Sequence, residues 1–235
     1  MFQSPLRLNL RLVCNVNMPV KKTLDVWPCA FPIAIQESRP RIPLSGANII
    51  ATLEHHDRVS EIDLWPTSTL LKQLNKVMKK PYPSLTRLRL YFEKSAPVLP
   101  DTFLGGSAPH LKHLNLTGIP FPALPKLLPS CHDLVDVRLG KIPNTGYISP
   151  EVMATALSAL TKLKFVQIEF DSPASRPDPT NRPPFSFTRV VLPALTHLWF
   201  RGASEYFEDL VARIDTPAII HVGTSFFNQL DFDIP

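Results

Sequence analysis

The scarcities in this 235-residue chain narrow its class before any motif is found. Three cysteines, Cys14, Cys29 and Cys131, form no close pair, which argues against a disulfide framework and for reduced thiols. Eight glycines leave no glycine-rich loop to cradle a phosphate. Apolar runs are short, and none approaches the roughly 18 residues of a membrane span. The N-terminal MFQSPLRLNLRLVC is not a secretory signal, because Arg7, Asn9 and Arg11 interrupt every apolar run in it. A cytoplasmic or nuclear protein without membrane contact is therefore expected. The sequon Asn115-Leu116-Thr117 then has no glycosylation role. Charge of one sign is never concentrated either. The net +5 arises from 25 basic residues scattered among 20 acidic ones, without the dense stripe that a nucleic-acid footprint needs.

What the chain does have is proline, 26 residues or roughly twice average usage, placed mostly between apolar segments. Those segments repeat one phrase, an apolar residue, two variable residues, an apolar residue, one variable residue and a third apolar residue. The copies are Val59/Ile62/Leu64, Leu85/Leu88/Leu90, Leu111/Leu114/Leu116, Leu134/Val137/Leu139, Leu163/Val166/Ile168, Leu195/Leu198/Phe200 and a degraded Ile219/Val222/Thr224. Their starts are 26, 26, 23, 29, 32 and 24 residues apart, the period of a leucine-rich repeat with one short strand and one helix or turn per unit. The fold class expected is α/β, a leucine-rich-repeat solenoid whose curved, mostly parallel sheet carries helices and turns on its convex side. One domain, 1–235, is expected, with irregular repeats over 1–45 and clearer ones over 46–235.

Two earlier strands fit the same scheme, one where Leu6, Leu8, Leu10 and Leu12 alternate with polar residues, the other from Phe31 to Ile35. Helical periodicity appears at Ile49, Ile50 and Leu53, and again at Leu70, Leu71, Leu74, Val77 and Met78 before Pro81. Ser149-Pro150-Glu151 is a helix-start signal, followed by Val152, Met153, Ala156, Leu157 and Leu160 on one face. Ser204 is the expected cap of a last helix facing inward through Tyr206, Phe207, Leu210, Val211 and Ile214, with Pro217 closing the unit. The segments 99–104 and 122–128 are too short or proline-broken for more than single turns. Residues 171–184, with five prolines and no apolar period, are expected to be an inserted surface loop. None of those prolines are three apart, so the loop is a weak polyproline ligand.

A single repeat cannot stand alone. Burying Leu111, Leu114 and Leu116 contributes about 2 kcal/mol each, whereas ordering some 25 residues costs about 1 kcal/mol or more per residue. Only stacked units share enough core.

The segments SPLRLNLRLVC, KTLDVWPCAFPIAI, NIIATLEHHDRVSEIDLW, LPDTFLGGSAPHLKHLNLTGIPFPALPKLLPS, GYISPEVMATALSALTKL, VLPALTHLWFRGASEYFEDLVARIDTP and FFNQLDFDIP resemble the leucine-rich-repeat proteins of mushroom-forming fungi that carry an F-box at the N-terminus. The resemblance spans nearly the whole chain and concerns the repeat region; the family's F-box would end just before Ser4-Pro5, so none is expected within residues 1–235. It implies a non-catalytic role, the substrate-holding half of an F-box subunit in a cullin-based ubiquitin ligase. The partner is then an unknown protein substrate, with a Skp-type adaptor only if an F-box lies upstream. The alternative is a free-standing repeat scaffold or truncated gene remnant with no ligase role. Two departures from the usual repeat stand out. Glu93, Ile119, Ile142, Asp171 and Ala203 occupy the places where many such proteins put asparagine, and Gly223 and Thr224 predict a ragged last strand.

Residues two apart in a strand share a face. The variable places beside each central apolar residue therefore form two outward columns: Glu61, Arg87, His113, Asp136, Phe165, His197, His221 and Asp63, Arg89, Asn115, Arg138, Gln167, Trp199, Gly223. Arginine and aromatics among polar groups are the mixture found at interface hot spots. The protein-binding residues expected are Arg87, Arg89, His113, Asn115, Asp136, Arg138, Phe165, Gln167, His197 and Trp199. No cofactor, metal or catalytic residue is expected. His55-His56 and His110 with His113 lack a completing ligand set. Gly105-Gly106-Ser107-Ala108-Pro109 and Gly202-Ala203-Ser204-Glu205-Tyr206 lack the second glycine of a nucleophile elbow.

Overall fold

A computed structural model of the chain describes residues 10–12, 24, 31–36, 46–93, 96–172 and 189–227. Leu6 and Leu8, Cys14, Cys29 and the 171–184 segment beyond Ser172 lie outside the described residues. The described strands are β1 (Leu10–Leu12), β2 (Ile33–Gln36), β3 (Val59–Leu64), β4 (Arg87–Tyr91), β5 (His113–Thr117), β6 (Asp136–Ile142), β7 (Phe165–Phe170), β8 (Val190–Val191), β9 (His197–Gly202), β10 (Ile214–Asp215) and β11 (His221–Phe226). Nine of them make one parallel sheet in the order β1-β2-β3-β4-β5-β6-β7-β9-β11, while β10 pairs with β8. Spatial order thus follows chain order. The fold is mixed α/β, with every strand of the large sheet separated from the next by a crossover, as parallel pairing requires.

The phrase sets the strands. The central apolar residues Ile62, Leu88, Leu114, Val137, Val166, Leu198 and Val222 are laterally paired in one unbroken row. The first six are at most 3 % exposed, whereas Val222 is 49 % exposed. The leading residues Val59, Leu85, Leu111, Leu134, Leu163 and Leu195 form a second buried row. One residue after each leading position the backbone already bonds sideways: Thr86 N donates to Ser60 O, Lys112 N to Thr86 O and Val135 N to Lys112 O, all at 2.8–2.9 Å. The same ladder continues through Lys164, Thr196 and Ile220.

Part of the proline excess has a local cause. Each of the last six phrases is preceded by a tight turn in which its leading residue donates back three positions, Leu85 N to Tyr82 O, Leu111 N to Ala108 O, Leu134 N to Cys131 O, Leu163 N to Leu160 O, Leu195 N to Leu192 O and Ile219 N to Thr216 O. Pro83, Pro109, Pro193 and Pro217 hold the first inner place of four of these turns, where a φ fixed near −65° is favoured. Pro217 therefore opens the last phrase rather than closing the unit before it.

Helices α1 (Gly46–Leu53), α2 (Ser68–Val77), α3 (Leu124–Leu127), α4 (Pro150–Leu157) and α5 (Ser204–Arg213) fill the crossovers. Ser149 caps α4 as its sequence predicts, accepting from Val152 N. Val152 itself is 45 % exposed and Ala154 takes the buried place, because the stripe runs through Met153, Ala154, Ala156 and Leu157. Ser204 does not cap α5; Ala203 is the cap residue, and the Ser204 hydroxyl donates to Glu205 instead. Val211 is 40 % exposed, and Ile214 has left the helix to pair with Val190 in β8. The expected face for α5 was too wide: only Tyr206, Leu210 and Arg213 are buried on it. The 99–104 segment contributes a 3-10 turn at Phe103–Gly106, and 122–128 is α3 running into a second 3-10 turn.

The core between sheet and crossovers is apolar and continuous. Its aromatic centre is Tyr206, 1 % exposed, packed on Phe170, Phe200 and Tyr147, its hydroxyl donating to Ile148 O at 3.0 Å. Cys131 is a buried free thiol, and burial raises its pKa to about 11.

Candidate protein-binding face

The sheet face away from the core carries both outward columns in strict register. In the first, Glu61, Arg87, His113, Asp136, Phe165, His197 and His221 are successive lateral partners. In the second, the partners are Asp63, Arg89, Asn115, Arg138, Gln167, Trp199 and Gly223. All ten residues expected from the sequence thus lie on one surface, and none is buried. Gly223 and Thr224 do not make the last strand ragged: β11 pairs with β9 through all six of its residues.

Chemistry divides this face in two. On β3 to β6 the charges are paired with one another. Arg87 faces Glu61 at 3.8 Å, Arg89 faces Asp63 at 3.7 Å, and Arg138 clasps Asp136 through Nε to Oδ1 at 2.9 Å and Nη2 to Oδ2 at 3.0 Å. Bidentate geometry makes the last pair the strongest, and its hydrogen bonds are the main reason that the Arg138 pKa is raised. The Asp63 carboxyl titrates above its usual range because partial burial outweighs the pull of Arg89 and Arg87. His113 is held below the ordinary imidazole value, first by burial and next by Arg87, with Asp136 opposing. The neutral imidazole is thereby favoured, and the 3.9 Å approach to Asp136 is an ion pair only when His113 is protonated.

On β7, β9 and β11 rings replace charges in the first column, and Trp199 stands in the second. Arg138 lies over Phe165 at 4.3 Å, a cation–π contact that ties the halves together. Phe165 stacks on His197 at 6.1 Å between centroids, His197 meets His221 at 6.1 Å, and Trp199 meets His221 at 5.0 Å. Phe165 is half-buried in this run, whereas Trp199 is 44 % exposed. The Trp199 indole lies across β11, where a Cβ on Gly223 would come within 2.5 Å of Trp199 Cε3. The missing side chain at Gly223 makes room for the ring.

Sequence reasoning missed a third outward group nearer the strand ends. Trp65 stacks on Tyr91 at 4.6 Å, Asn115 Nδ2 donates to the Tyr91 hydroxyl at 3.2 Å, and Gln167 Nε2 donates to Glu169 at 2.8 Å. The signal was present, since Tyr91, Thr117, Glu169 and Arg201 follow the phrase by one place. It falls outside the three-residue motif that defines the columns.

The asparagine places are filled otherwise. Ile119, Ile142 and Ala203 are buried there, while Glu93 and Asp171 are exposed. Among the described residues no helix is long and apolar enough to cross a membrane. A cavity of about 20 Å³, lined by core residues such as Leu116, Leu139 and Tyr206, has room for little more than a water. Comparison of the chain with models of known protein families, with curated proteins and with solved structures finds no match.

Proposed function

We propose that the chain is a leucine-rich-repeat solenoid acting as a non-catalytic protein-recognition module, of the kind that holds substrate in the F-box subunits of cullin-based ubiquitin ligases. The observation that carries this reading is the register of the two outward columns, which places ten variable side chains from five neighbouring strands on one rigid surface. Backbone pairing fixes the positions from which those side chains project, so little conformational freedom is lost on binding. Arginines in fixed geometry and a large exposed indole are the groups that dominate interface energies.

The test is affinity capture from native cells, run in parallel with the intact chain and with a chain carrying Arg138→Ala and Trp199→Ala. A protein retained by the first and lost by the second supports recognition through this face. Co-recovery of a Skp-type adaptor supports the ligase role, whereas a partner without adaptor favours a free-standing scaffold. Equal recovery by both baits overturns the assignment of the face.

A further inference from the structure

We propose that the Trp199 indole is a stacking platform for an aromatic side chain borne, beside a carboxylate, on an extended segment of the partner protein. This rests on the recognition reading above and narrows it to one end of the face. On β3 to β6 each arginine already has its acid, Arg87 with Glu61, Arg89 with Asp63 and Arg138 with Asp136. A ligand there would have to break existing pairs.

The Trp199 end is different. Its ring is laid flat over Gly223, and it is the exposed outward aromatic of the second column. Arg201 and the imidazoles of His197 and His221 surround it. Arg201, two residues on in the same strand, is exposed and makes no ion pair among the described residues, its guanidinium resting 5.5 Å from the Phe227 ring. The register neighbour of Arg201 is Glu169, whose carboxylate takes the Gln167 amide instead. His197 bonds Thr196 through Nδ1, which leaves Nε2 unused, and His221 is exposed with ring contacts only. A flat apolar ring flanked by an arginine and two imidazoles is complemented by a second ring with an anionic acceptor next to it. Offset stacking satisfies the ring, and the guanidinium donates to the carboxylate.

The experiment uses a displayed library of random linear peptides selected against the whole chain, with affinities of the enriched peptides measured by fluorescence polarisation. Enriched peptides should carry Phe, Tyr or Trp next to Asp or Glu. Trp199→Ala should weaken them about 30-fold, and Arg201→Glu should shift the preference to basic neighbours. Both side chains are exposed, so the urea midpoint of each variant should match that of the parent. Glu208→Ala, exposed on α5 and outside the face, should leave these affinities unchanged. If binding instead depends on Arg87 and Arg89 and not on Trp199, the platform is refuted while the face survives. Peptides insensitive to every one of these substitutions, or no enrichment at all, overturn the proposal; insensitivity also removes the face.

Discussion

Two glycines with the same backbone conformation separate strain from collision. Gly106 has φ +72° and open space where a Cβ would stand; Gly118 has φ +70°, and a Cβ there would lie 2.0 Å from the Phe92 carbonyl oxygen. Alanine at either site pays the left-handed penalty, about 1–2 kcal/mol. At Gly118 it must also push away backbone that is itself pinned. Phe92 N donates to Thr117 O, and Gly118 N donates to Gly140 O, so the chain is tied on both sides within β4, β5 and β6. Opening the contact by more than 1 Å adds an overpacking cost of about 1–3 kcal/mol. Gly118→Ala should therefore destabilise by about 2–5 kcal/mol and Gly106→Ala by about 1–2 kcal/mol, read from urea unfolding followed by circular dichroism. Losses equal within about 0.5 kcal/mol would show that the close crossing at Phe92 is absent and would refute the reasoning.

Leu114→Ala should cost about 2–5 kcal/mol because Leu114 is 1 % exposed, while Val222→Ala, in the same lateral row but 49 % exposed, should cost under about 1 kcal/mol in the same unfolding assay. Tyr206→Phe should cost about 1–3 kcal/mol by leaving the Ile148 carbonyl without its donor, with the near-ultraviolet spectrum otherwise retained. Asp133, held by hydrogen bonds from Lys162 and His110, has its pKa lowered from 3.8 to about 2. A depressed carboxyl stabilises the fold above pH 3.8 and loses that contribution as pH falls toward 2, so Asp133→Asn should flatten the stability profile over that window.

Much of this architecture was legible because the phrase is a packing rule written in sequence. Leu88, Leu114, Val137, Val166 and Leu198 are spaced so that each must take the same inward place on adjacent strands, and the outward columns follow by alternation. Helix faces were read less well. Val152 and Val211 are apolar yet exposed, since hydrophobicity alone does not say how wide a stripe the neighbouring helix covers. The Ser204 cap failed because Ala203 has the extended backbone and Ser204 the first helical turn, a one-residue shift that composition cannot resolve. Lateral chemistry was invisible for another reason. That Arg138 is clasped by Asp136 while Arg201 is not depends on side-chain geometry between residues close in the chain and on neighbouring strands.

The claim that the outward face recognises a protein is tested most directly by site-specific photocrosslinking. A benzophenone amino acid at Gln167, central in the second column, is compared with one at Val211, exposed on α5. Irradiation in native-cell extract should give a discrete adduct from Gln167 that Trp199→Ala abolishes, and none from Val211. An adduct from Val211 with none from Gln167 would contradict the account and move the binding surface to the helical side.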